Sequence, residues 1–134
     1  MSEKESTKPE CFLCVDWGAS RCGLAVADSE TRIATGVEEV ETNKLIERIK
    51  QLNEERIFSK VIVGKASHGG FGDEEKTRSL EEALEKLDLQ VEFEEEFFST
   101  KQAQQNLAET GKRGISKNDN VESARIILQS WLDR

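Results

Sequence analysis

The sequence predicts an α/β domain on a five-stranded mixed sheet: three antiparallel strands, then two parallel ones, with helices on both faces. Three observations predict it. Between Phe12 and Asp28, two runs of strand-forming residues flank a tight turn at Gly18. Lys60-Val61-Ile62-Val63-Gly64 is a short β-branched run of the kind buried on both faces. Amphipathic stretches separate the later strands, which favours strand–helix–strand units and parallel pairing through right-handed crossovers.

Each element has its own signal. Phe12, Leu13, Val15 and Trp17 favour the first strand, and Leu24, Ala25 and Val26 the second. Gly18 gives the turn its backbone freedom, and Gly23 is read the same way. Ile33 to Val40 is the third strand, and the short Ser29-Glu30-Thr31 connection implies antiparallel pairing. Thr42-Asn43 opens a helix reaching Glu55, with Leu45, Ile46, Ile49 and Leu52 as its apolar stripe. After the fourth strand comes the glycine-rich loop Ala66 to Gly72. A helix from Asp73 to Leu87 then carries Leu80, Ala83, Leu84 and Leu87 inward. Leu89 to Glu94 is the fifth strand. Ser99-x-x-Gln102 is a capping box that starts a helix, and Gly111 stops it. The last helix, Asp119 to Leu132, turns Val121, Ala124, Leu128, Trp131 and Leu132 inward.

Composition sets limits. The 134 residues suit a single domain over 10–134, after a polar lead-in, 1–9, expected to be disordered and without a signal-peptide apolar core. No run reaches the length of a membrane span, so no membrane partner is expected. The net charge of −8 argues against tight nonspecific nucleic-acid binding. Charge is nevertheless uneven. Acids concentrate in 38–57 and 73–96, whereas Lys101, Lys112, Arg113 and Lys117 stand near one acid, Glu109. Those four are either a nucleic-acid contact or a solvated surface. Cys11-x-x-Cys14 has metal-knuckle spacing, but on a strand the two side chains point to opposite faces. Free buried thiols and a reducing cytoplasm fit better.

In such a sheet, ligands favour the rim formed by the C-terminal ends of the parallel strands. Asp16 ends the first strand, and Glu95 and Glu96 end the fifth. Gly64 and the Ser67-His68-Gly69-Gly70 loop end the fourth. Carboxylates gathered without a histidine and cysteine set suit a hard cation, Mg²⁺ or Mn²⁺. Such an ion orients water and steadies a phosphate leaving group. The alternative for Glu94 to Glu96 is a solvated acidic turn.

The run from Val15-Asp16-Trp17-Gly18 to Ala27-Asp28 resembles the first motif of the YqgF-type nucleases. Three further matches follow in order. Val61-Ile62-Val63-Gly64 is similar to the family's central strand, and Glu95-Glu96-Phe97-Phe98-Ser99-Thr100 to its Asp-Glu-Arg-Leu-Thr-Thr motif. Ala124-Arg125-Ile126-Ile127-Leu128-Gln129-Ser130-Trp131-Leu132-Asp133 is similar to its closing helix. The resemblance implies an RNase H-like fold and a Mg²⁺-dependent endonuclease, of Holliday junctions or of the pre-16S rRNA 5′ end. By position, Asp16 matches the first catalytic aspartate and Glu96 the glutamate. The third acid falls on Asn120, whose amide oxygen binds a cation without bringing charge. Asp119 and Glu122 point away from the apolar face on a helical wheel. Phe97 replaces an arginine, and Gly64-Lys65-Ala66 replaces a Gly-Leu-Pro turn.

Two readings follow. In the first, Asp16 and Glu96 hold Mg²⁺ (or Mn²⁺) with Asn120 as a weakened third catalytic ligand. Arg21, Lys65, Lys101, Lys112, Arg113 and Lys117 then approach the backbone of pre-rRNA or branched DNA. Junction resolution would need two active sites and hence a homodimer. In the second, the chain is a catalytically weakened or inactive relative that binds RNA or protein. Three residues stay open between roles: Arg21 between phosphate and turn, Trp17 between base stacking and packing, His68 between proton shuttle and plain loop.

Overall fold

Alternation along the first strand decides the architecture. The computed structural model describes residues 9–18, 20–64, 74–94 and 119–134. Strand β1 (Cys11–Asp16) points Leu13 and Val15 to one side of the sheet and Phe12 and Cys14 to the other, and all four are buried. Both faces must therefore be covered. Strands β2 (Arg21–Asp28) and β3 (Thr35–Glu41) pair antiparallel in sequence order, whereas β4 (Phe58–Gly64) and β5 (Val91–Glu94) pair parallel on the other side of β1. The strand order is β3-β2-β1-β4-β5, the mixed sheet the sequence predicts.

Helices α1 (Leu45–Glu55) and α2 (Glu74–Glu85) cover one face. Their Leu45, Ile49, Leu52, Leu80 and Leu84 pack with Leu13, Val15, Val61 and Val63. Helix α3 (Asp119–Leu132) covers the other, where Ala124, Ile127, Leu128 and Leu132 meet Phe12, Cys14, Ala25 and Ile62. Burying one such leucine is worth about 1.5–3 kcal/mol. The far end of α3 is fastened by polar contacts. Trp131 stacks edge-on against Phe12, with ring centroids 5.0 Å apart, and its indole N–H donates to Glu92 at 3.2 Å. Arg134 pairs with Glu94. No described helix is long and apolar enough to cross a membrane. Residues 1–8 of the expected lead-in and the helix expected from Ser99 to Gly111 lie outside the described residues.

Helix α2 ends at Glu85, not Leu87, and strand β5 starts at Val91, not Leu89. Two further boundaries differ from the sequence reading, each for a local reason. Strand β3 starts at Thr35, not Ile33, because a turn consumes the preceding residues. The Asp28 carboxylate accepts the backbone N–H groups of Glu30 and Thr31 and the Thr31 hydroxyl, Arg32 adopts φ 55°, and Ile33 is left exposed. Helix α1 starts after a 3₁₀ turn at Thr42–Lys44, without a side-chain cap. Thr42 is committed elsewhere: its hydroxyl donates to the Gly18 carbonyl at 2.8 Å and its N–H to the Ser20 carbonyl at 2.9 Å. It ties the β1–β2 turn to the helix.

The Asp28 turn has a pH signature. The Thr31 N–H, above all, holds the Asp28 carboxyl below its ordinary range. A depressed carboxyl adds stability above its unfolded pKa and loses it as pH falls through the folded value. Asp28→Asn is therefore expected to lower the melting temperature at pH 7. Melts repeated down to about pH 3 should show the gap to wild type closing as Asp28 is protonated.

Candidate active site

Backbone register lines up one row of residues across the whole sheet. Glu39 lies opposite Gly23, Gly23 opposite Asp16, Asp16 opposite Gly64, and Gly64 opposite Glu94. Neighbours in a row share a face, and strands run about 4.8 Å apart, so Glu39 and Glu94 each stand roughly 10 Å from Asp16, backbone to backbone. The positions between are glycines. The row faces α3: a Cβ on Gly64 would stand 3.1 Å from the Ile127 side chain.

Asp16 closes β1 and is 5% exposed. A carboxylate so deep is held only with hydrogen bonds or a cation. The next residue, Trp17, donates its N–H to the Gly64 carbonyl at 2.8 Å, which fastens the end of β1 to β4. The Trp17 ring packs against the α1–α2 core. That favours packing over base stacking.

Gly23 has a different reason from the one its sequence suggests. It lies inside β2, and a Cβ there would overlap the Asn120 carbonyl and stand 2.8 Å from the Val121 nitrogen. It admits the backbone of the first turn of α3. Asn120 thus arrives one strand away from Asp16. Its Nδ2 donates to Glu39 Oε2 at 2.9 Å, and Arg21 Nη1 approaches Glu39 Oε1 at 3.4 Å. Glu39 is 16% exposed and Arg21 59%. So long and exposed a pair is weak, and leaves Arg21 able to reach a phosphate. Glu122 turns instead to Arg125 on its own helix.

Two thiols report the negative field around Asp16. Burial, then the charges of Asp16 and Glu94, push the fully buried Cys14 thiol well up. Burial also raises Cys22, against hydrogen bonds to Thr42 and Gly18 that lower it, and Asp16 raises it further. Both thiols stay protonated and are poor metal ligands. The cysteines are free, Cys14 and Cys22 buried as expected but Cys11 only half-buried, and Cys11 and Cys14 lie on opposite faces as their spacing implies.

The donors left at this rim are oxygens, the chemistry of a hard cation. Among the described residues, no three acidic, histidine or cysteine side chains converge enough to hold an ion. Asp16 and Asn120 belong to this end of the sheet. Glu95 and Glu96 lie outside the described residues, as do Lys65, His68, Phe97, Lys101, Lys112, Arg113 and Lys117. Sequence reasoning missed Glu39, and it treated Glu94 only as part of an acidic turn. The signal for both is strand register, which places them on the row of Asp16. An open cavity of about 420 Å³, lined by Ser20, Arg21, Glu41, Thr42 and Asn43, adjoins the same rim.

Comparison with known proteins agrees with this topology. T. thermophilus RuvC, solved in complex with a Holliday junction substrate, superposes with a TM-score of 0.58 at 17% identity, over 91% of this chain and 93% of its own. The fowlpox virus Holliday junction resolvase gives 0.56 at 12% identity, over 92% and 98%. The fold is RNase H-like. In sequence, a protein of Dictyoglomus turgidum named "Putative pre-16S rRNA nuclease" is 31% identical over 130 residues, 90% of this chain and 92% of its own. A protein of the same name from Phocaeicola vulgatus is 30% identical over 131 residues, 91% and 94%. The family model described as "RuvX: Holliday junction resolvase" matches residues 10–134, and the chain belongs to that family.

Proposed function

We propose that this chain is a divalent-metal-dependent endonuclease, cleaving the pre-16S rRNA 5′ region or a branched DNA junction. One observation supports it above the others: a buried carboxylate, Asp16, at the strand-end rim, with the first turn of α3 seated beside it on Gly23. Asp16 and Glu96 would hold Mg²⁺ or Mn²⁺, with the Asn120 amide oxygen as third donor. The ion, when bound, supplies the charge that activates water and offsets the leaving oxygen. The residues of the chain do the rest. Asp16 is held at the rim by the backbone tie between Trp17 and Gly64, which fastens the end of β1 to β4. Arg21, with Lys65, Lys101, Lys112, Arg113 and Lys117, would bind the phosphate backbone and offset the overall charge of −8. Free thiols suit work in a reducing cytoplasm. Cutting both arms of a junction would take a homodimer.

A second reading has its own support. Asn120 carries no charge, and its amide nitrogen is already bonded. A noncatalytic module that binds RNA or protein would tolerate both. Incubation with a pre-16S rRNA 5′ fragment and with a four-way DNA junction separates the readings. Cleavage of either in Mg²⁺ or Mn²⁺, abolished by chelation and restored by added metal, is the expected result. Binding without cleavage in both ions would establish the second reading.

A further inference from the structure

We infer that Glu39 is a positioning residue of the candidate site, and that it carries the negative charge that position 120 lacks. The inference rests on the proposed endonuclease reading. Glu39 comes from an edge strand far from Asn120 in sequence, yet its Oε2 accepts from Asn120 Nδ2 at 2.9 Å. That bond fixes which way the amide faces. A flipped amide would set its oxygen against a carboxylate oxygen, with no proton between them. The nitrogen is therefore committed, and any cation or substrate group that meets Asn120 meets its oxygen. Glu39 also sets its carboxylate one hydrogen bond from that amide, on the row that holds Asp16, with only the long, exposed Arg21 contact at 3.4 Å on its other oxygen. It is sheltered, at 16% exposure, so solvent screens its charge less than that of a surface glutamate.

The role acts through Asn120 and so is distinct from Asp16's. Removing the charge while keeping an acceptor, in Glu39→Gln, should weaken Mn²⁺ binding roughly tenfold, as loss of a partner behind a metal ligand does. Asn120→Asp alone sets two carboxylates against each other and breaks the bridge, so it should bind Mn²⁺ no more tightly than wild type. When Glu39→Gln and Asn120→Asp are combined, the new amide donates to the new carboxylate, and the charge has merely changed sides. The double variant should return to within about threefold of wild type, a coupling that only a direct pair gives.

The measurement is Mn²⁺ affinity by electron paramagnetic resonance on the full chain, with melting curves for every variant and Asp16→Asn as reference. Glu39→Gln binding like wild type while Asp16→Asn loses the ion overturns the inference and leaves the endonuclease reading standing. Glu39→Gln weakened without rescue by Asn120→Asp marks a merely structural glutamate and also overturns it. So does tighter binding by Asn120→Asp alone, which would mean that the charge was missing and not relocated. Loss in neither Asp16→Asn nor Glu39→Gln removes the metal site itself, and with it both this inference and the endonuclease reading.

Discussion

Asp16→Asn is expected to lose divalent-dependent cleavage by about 100-fold or more, without loss of fold. The substitution is nearly isosteric and keeps an oxygen, so packing around the 5%-exposed side chain changes little. What it removes is charge. Replacing a partner behind a metal ligand already costs about 10–100-fold in affinity or activity, so a direct ligand should cost at least the upper end. The effect on stability should run the other way. Asp16 shares its row with Glu39 and Glu94, and its field reaches Cys14 and Cys22 on opposite sides of the sheet. Both neighbours are partly offset, Glu94 by Arg134 and Glu39 by Arg21, so neutralising Asp16 relieves a reduced repulsion and the melting temperature should hold. Active sites are commonly where stability is given up for charge placement. Cleavage, Mn²⁺ binding and melting on one preparation check this. A variant that cuts like wild type places the chemistry elsewhere, and one that unfolds makes Asp16 a structural acid.

The strands were legible because their signals are local. Alternation in Phe12 to Val15 reads directly as two buried faces, and the β-branched run ending at Gly64 reads as a central strand. Short and helical connections then gave the pairing directions. The site was legible only where an acid ends a strand, as Asp16 does. Glu39 was not, because Glu38 and Glu39 are adjacent in an acidic stretch and nothing local says which faces Asp16. The register shift beside Leu24 and Ala25 decides it: Glu38 goes to Arg48 of α1, and Glu39 to Asn120 of α3. Glu94 was hidden for a similar reason, in a run of three glutamates whose row is set by pairing with Gly64. Gly23 was misread because a glycine close to a turn looks like a turn residue. Its real neighbour is a helix almost a hundred positions later.

Gly23→Ala should therefore be among the most damaging single-atom additions in this protein. The added Cβ would overlap the carbonyl of Asn120 and crowd the Val121 nitrogen, and both belong to the backbone of α3. No rotamer change relieves that, so the helix must lift from β2. Overpacking of this kind costs about 1–3 kcal/mol and sometimes more, against about 0.4–1 kcal/mol regained from a stiffer unfolded chain. For a chain of this size the net loss lowers the melting temperature by roughly 5 °C. Gly36→Ala is the control. Its Cβ would meet Val121 Cγ1 at 2.5 Å, a side-chain methyl, so a smaller shift suffices. The function should divide the same way. Lifting the first turn of α3 carries Asn120 away from Glu39, so Gly23→Ala should lose Mn²⁺ affinity along with stability, while Gly36→Ala keeps most of both. Equal melting of Gly23→Ala and wild type would mean that α3 is not seated on β2, and that Asn120 reaches the rim by some other path or not at all.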